Sequence, residues 1–173
     1  MCCIKHIYHE FFIHSRSFLV FVFVCGDRAG HETTSNLLTW TLYAASQQPE
    51  IWLKCQQEVD SILGRESIDY ESLKKLQYIE AVLDESLRLY PSAPLIARQA
   101  VKEHTIGDGI VIPVGASILI PIIVAHQNAE QWKDPSVFNP DRFLEKTRRH
   151  PAAFIPFAAG PRSCIGMVSC SSQ

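Results

Sequence analysis

The sequence predicts a mainly α-helical chain with a small β-sheet region. Three observations lead there. Apolar residues recur at threes and fours over Gly30–Gln47, Pro49–Gly64 and Tyr78–Tyr90, the spacing of amphipathic helices. Short β-prone runs beyond Pro94 alternate with turn signals. A stretch rich in Pro, Asp and Asn, Gln131–Arg149, then reads as loop with short helices.

The first helix is expected over Gly30–Gln47, with Leu37, Leu38, Trp40, Thr41, Ala44 and Ala45 on its apolar face. Upstream, Gly26-Asp27-Arg28 reads as a break. Phe18–Cys25 is apolar but short, against about 20 residues for a membrane span. Gly26-Asp27-Arg28-Ala29 is a poor signal-cleavage site, so the run reads as a buried strand or helix fragment. Left exposed, it would favour aggregation, being β-prone, uncharged and free of proline.

Pro49 suits the first turn of the second helix. Trp52, Cys55, Val59 and Ile62 make its expected face, and Gly64 its end. Asp69–Leu76 is a short polar helix. Tyr78–Tyr90 turns Ile79, Val82, Leu83 and Leu87 inward and stops before Pro91 and Pro94. Strands are expected at Leu95–Val101, Thr105–Ile112 and Ala116–Ile120, with Gly107-Asp108-Gly109 and Pro113-Val114-Gly115 as turns.

At 173 residues the chain holds one domain's worth of sequence, with an ordinary apolar content of 47%. A net charge of −2 and the lack of any basic run with interleaved aromatics exclude a nucleic-acid partner. The six cysteines are scattered and none forms Cys-x-x-Cys, which suits a reducing compartment rather than a disulfide framework. Cys2, Cys3, His6 and His9 are crowded enough to suggest zinc, but no second cluster completes a finger.

The most specific run is Phe157-Ala158-Ala159-Gly160-Pro161-Arg162-Ser163-Cys164-Ile165-Gly166. It presents one cysteine in a glycine-framed loop with an arginine two residues before it. Glycines let a backbone approach a flat ligand closely. A thiolate in such a loop can be the axial ligand of haem iron. Nearby N–H groups and a cation favour the thiolate. The bland alternative is a buried cysteine in a Gly/Pro turn.

Two more runs precede it. Ala29-Gly30-His31-Glu32-Thr33-Thr34 opens the first helix, and taken alone it is an ordinary polar helix start. Glu85-Ser86-Leu87-Arg88 places a carboxylate and a guanidinium on one helix face, usually a solvated pair worth little.

With Asn139-Pro140-Asp141-Arg142-Phe143, these runs together resemble the cytochrome P450 superfamily of haem-thiolate monooxygenases. The resemblance covers Ala29–Gly166, about four-fifths of the chain, and corresponds to the C-terminal part of the family's fold. It is strongest toward the fatty-acid ω-hydroxylase branch. It implies haem (iron protoporphyrin IX) bound through Cys164, with Phe157, Gly160 and Gly166 shaping the loop. Arg162 and Arg98 would pair with the haem propionates. Glu32 and Thr33 would serve oxygen binding and proton delivery. Glu85, Arg88 and Arg142 would form a structural ion network holding the loop, with His126 and Trp132 as packing residues. Many members of that branch carry a glutamate at the position of Ala29 that esterifies haem. Ala29 cannot, so the haem is expected to be non-covalent.

The resemblance also implies a small apolar substrate, whether lipid, sterol or xenobiotic, with Thr34–Leu38 and Ser92–Ala97 as candidate contacts. NADPH electrons would arrive through a reductase at the cytoplasmic face of the endoplasmic reticulum. Segments 1–28 and 167–173 read as foreign to the family, with residues 29–166 a partial domain and the membrane anchor missing. On that reading the chain by itself is expected to be inactive. The alternatives are a non-catalytic remnant that binds haem weakly or serves as an interaction module, and a zinc module built on Cys2, Cys3, His6 and His9.

Overall fold

The computed structural model describes residues 15–64, 69–145 and 147–167, with side chains from Ala29 onward. The Cys2–His9 cluster and the tail beyond Met167 lie outside the described residues. The chain divides into two compact units, Met1–Ser35 and Asn36–Gln173.

Helix α1 spans Ser15–Ser46 and so contributes to both units. It passes through Gly26-Asp27-Arg28 without interruption, which corrects the expected break and moves the helix start well upstream of Gly30. The reason is energetic. One glycine costs only about 1 kcal/mol in a helix, Asp and Arg are tolerated, and no proline stops the backbone ladder. Among the described residues no helix is long and apolar enough to cross a membrane.

In the second unit, Leu37, Ala44 and Ala45 are buried, whereas Leu38 and Trp40 are exposed and leave the expected face. Trp40 instead stacks on Tyr90, ring centroids 4.5 Å apart. Helix α2 covers Pro49–Ile62 with its proline in the first turn. Of its expected face, Cys55, Val59 and Ile62 are half-buried, but Trp52 is 46% exposed and its neighbour Ile51, 4% exposed, takes its place. Ile51 joins Ala44, Tyr78, Val82, Leu89 and Phe138 in the core, with Cys55 and Tyr90 packed against it. The face also takes in Glu58, a half-buried charged residue that apolar periodicity does not signal. The Glu58 carboxylate accepts from Tyr78 N at 2.8 Å and Ile79 N at 2.9 Å. It thereby caps the next long helix from a distant part of the chain.

Helix α3 is one turn, Tyr70–Leu73, opened by a reciprocal capping box between Asp69 and Ser72. Helix α4, Gln77–Leu89, is the centre of the unit, with most of its last two turns buried. It packs against α2 and against both short helices that follow the strands. Strands β1 (Leu95–Gln99) and β4 (Ser117–Pro121) pair antiparallel, Arg98 facing Ile118. Strands β2 (His104–Ile106) and β3 (Ile110–Ile112) form a separate hairpin around Gly107-Asp108-Gly109. The structure adds helix α5 (Ile122–His126) and a 3-10 turn at Pro151–Ala153. Both are too short for apolar periodicity to register. Helix α6, Asp141–Leu144, lies in the loop-rich stretch and packs on α4.

Candidate functional site

The last turns of α4 bury a charge network. Glu85 and Arg88 are 0% exposed, and Arg142 is 6% exposed. Their i, i+3 spacing brings Arg88 Nε to 2.7 Å from Glu85 Oε2 and Arg88 Nη2 to 2.7 Å from Oε1. This is a bidentate fork. Arg142 Nε donates to Glu85 Oε1 at 3.1 Å, and so does Asn139 N at 2.8 Å. The solvated-pair alternative is therefore excluded, and the trio expected from the resemblance is present. Two guanidiniums meet one carboxylate, so one positive charge is in excess. Backbone carbonyls absorb it. Arg88 donates to His126 O, Pro135 O and Val137 O. Arg142 donates to Lys133 O, Asp134 O, Val137 O and Asn139 O. The network thus folds residues 133–139 around itself.

His126 and Trp132 pack beside it. Both are fully buried, and each also makes a hydrogen bond that a packing role does not require. Trp132 Nε1 donates to Ala153 O at 3.2 Å. Ile155 N donates to His126 Nε2 at 2.9 Å. The imidazole is consequently neutral with its proton on Nδ1. Nδ1 approaches the carbonyls of Leu87 and Arg88 but reaches neither in full hydrogen-bond geometry. Burial drives the His126 pKa down to about 4; those carbonyls oppose the shift and the Arg88 charge adds to it. Phe154 covers the ring at 5.2 Å and packs edge-on to Phe143 at 5.0 Å.

The Cys164 loop follows this segment directly. Ala158 N donates to Ile155 O at 3.0 Å, Ser163 N to Gly160 O at 2.9 Å, and Cys164 N to Phe157 O at 2.9 Å. These bonds close the loop from Phe157 to Cys164. Cys164 is an exposed free thiol, so the buried-cysteine alternative fails. Gly160 sits at φ +81°, and Ala158 shares the left-handed region at +59°. A Cβ at Gly160 would meet nothing within 4 Å, so only the backbone demands glycine there. Gly160→Ala is expected to cost about 1–2 kcal/mol, read as a lowered denaturant midpoint. At Gly166 the φ is not in that region, and an added Cβ would lie an ordinary 3.8 Å from Cys164 Sγ. The chain's own packing therefore does not require glycine at 166.

Other expected site residues fall as follows. Phe157 is half-buried and Arg162 exposed at the loop. Arg98 is half-buried on β1 and donates from Nη1 to Ala97 O at 2.9 Å. In the first unit, Glu32 and Thr33 lie on helical backbone, and Thr33 Oγ1 donates to Ala29 O at 2.7 Å. Among the described residues no group of three or more His, Cys, Asp or Glu side chains could hold a metal. The residues that sequence reasoning left as mere packing are His126 and Trp132. Ile155 was missed altogether, because its part is played by a backbone N–H.

The family model described as Cytochrome P450 matches residues 27–168. Human cytochrome P450 4F12 is 43% identical over 142 residues, covering 79% of this chain and 27% of the relative. Rat cytochrome P450 4X1 is 41% identical over 141 residues, covering 80% of this chain and 28% of the relative. The crystal structure of the cytochrome P450DA heme domain superposes with a TM-score of 0.76 at 34% identity, over 82% of this chain and 32% of that one. The chain therefore spans just over a quarter of the length of these curated relatives.

Proposed function

The chain belongs to the cytochrome P450 family, and from that membership we propose that it forms part of a haem-thiolate monooxygenase. The reaction is insertion of one atom of O2 into an apolar organic substrate, the other atom leaving as water. The observation that carries the reading is the exposed Cys164 thiol on a loop closed by its own N–H and backed by the buried ion network. Bound there, haem supplies oxygen activation, with thiolate donation favouring O–O cleavage.

This chain's residues then have distinct tasks. Cys164 holds the iron from the protein side. Arg162 and Arg98 match the two propionate charges. Phe157, Gly160 and Gly166 let the backbone lie close to the ring. Ala29 offers no carboxylate for an ester link, so the cofactor is held non-covalently. Glu32 holds a proton for delivery, and the Thr33 hydroxyl, which can both donate and accept, orients the group that receives it. Electrons come from NADPH through a reductase, at the endoplasmic-reticulum membrane. The substrate is a lipid, sterol or xenobiotic.

The test is spectroscopic. The full chain is supplied with haem, reduced and exposed to carbon monoxide. A thiolate-type band is expected, and Cys164→Ser should abolish it. A band that survives the substitution would show that another residue is the ligand.

One observation favours a second reading for these 173 residues on their own, a partial domain that binds haem without turning over. Large apolar side chains, Leu42, Leu53, Leu119 and Ile165 among them, are exposed. Such surface promotes association. With haem, reductase, NADPH and a panel of fatty acids, no oxygenated product is then expected. Turnover that depends on Thr33 would exclude this second reading.

A further inference from the structure

We infer that His126 is a positioning residue for the Cys164 loop, linking the buried ion network to the backbone that leads into the thiolate. Its bearing on haem rests on the function proposed above; the linkage itself does not.

The path is continuous. Arg88 Nη1 donates to the His126 carbonyl at 3.0 Å, which ties α5 to the network. The side chain of the same residue then accepts from Ile155 N at 2.9 Å. Ile155 O accepts from Ala158 N, and Phe157 O accepts from Cys164 N. Every step after His126 is backbone, so on this path the side chain that anchors the loop is the imidazole; Trp132 Nε1 holds the same segment two residues earlier, at Ala153 O. Its main chain and its ring are held by different elements, and it is fully buried between them. A residue that merely filled the space could be aromatic or aliphatic, because Phe154 already covers one face of the ring. Such a replacement would leave the Ile155 N–H without its acceptor, at a half-buried position two residues past buried Ala153. The loop beyond it contains two residues in the left-handed region, which persist only where the surroundings enforce them.

The acceptor requirement can be separated from packing. Glutamine carries a carbonyl oxygen at a reach close to that of Nε2; phenylalanine keeps the bulk and loses the acceptor. Amide hydrogen exchange is measured on the full chain and on the variants His126→Phe and His126→Gln. In the parent, the Ile155 and Cys164 amides are expected to be protected. His126→Phe should speed their exchange by up to about tenfold while the Val82–Leu89 amides of α4 keep their protection. His126→Gln should restore much of the loss. In haem-loaded samples the thiolate-type share of the carbon monoxide band should fall in His126→Phe and recover in His126→Gln. Three results would overturn the inference: an Ile155 amide that exchanges at the open-loop rate in the parent, unchanged loop protection in His126→Phe, or equal loss in α4 and the loop. A parent chain that takes up no haem would speak against the proposed function and leave the exchange result to decide the role of His126.

Discussion

Replacing Glu85 with alanine is expected to remove about 3–5 kcal/mol of folding stability. That is much of what a domain of ordinary size possesses, about 5–15 kcal/mol. The carboxylate is fully buried and accepts from Arg88, Arg142 and the Asn139 amide. Its removal leaves two guanidiniums facing each other with no anion between them. The carbonyls that absorb one excess charge are already engaged by the same arginines. Glu85→Gln should recover part of the loss, since an amide oxygen still accepts although the charge is gone. Both variants are compared with the parent by denaturant titration and by haem uptake. A Glu85→Ala chain with the parent's midpoint would show that the network contributes no net stability.

The parts of the molecule that were legible in the sequence are those decided by local chemistry. Helix α4 could be read because Ile79, Val82, Leu83 and Leu87 keep helical spacing and Pro91 stops the helix. The turn at Gly107-Asp108-Gly109 could be read from its composition, although the strand expected over Thr105–Ile112 is split there into β2 and β3. The Glu85–Arg88 pair was visible as an i, i+3 spacing, but spacing alone favoured an exposed pair, and Arg142 entered only through resemblance. Burial decided the matter, and burial is tertiary. The same limit explains why the α2 face was misread at its first residue, Trp52, though not at Cys55, Val59 and Ile62. Ile51 and Trp52 are apolar neighbours, and the core takes Ile51, while Glu58, seven residues further on, caps α4. A carboxylate on an inward face looks like a pattern error until its two N–H partners are known. His126 shows the limit at the site itself. Its partner is a backbone N–H, which carries no side-chain signature at position 155. The loop around Cys164 stood out because glycine and proline around a lone cysteine are a local pattern, whereas Glu32 and Thr33 were singled out only through resemblance.

Asp84, next to Glu85 in sequence, should behave in the opposite way: Asp84→Asn is expected to stabilise the fold above neutral pH. Burial pushes the Asp84 carboxyl up from 3.8 to about 7, and the like charge of Glu80, one turn earlier, adds to the shift. No guanidinium offsets it, because Arg88 and Arg142 are both committed to Glu85. The folded state therefore favours the neutral acid, and the unfolded state ionises first. Stability from this group is intact below about pH 4, declines as pH rises toward 7, and stays reduced above that. The full shift corresponds to about 4 kcal/mol once both states are ionised. Asparagine has nearly the same shape and no charge to desolvate, so it should return a large part of that difference. Thermal unfolding of the parent and of Asp84→Asn is followed from about pH 5 to about pH 8. The midpoint difference should be small at the acid end and grow steadily toward the alkaline end. A difference that does not change with pH would mean that Asp84 ionises in the folded chain as readily as in the unfolded one. A difference that grows with pH would show two adjacent carboxylates with opposite effects on stability for one physical reason, the presence or absence of a paired cation inside the same helix turn.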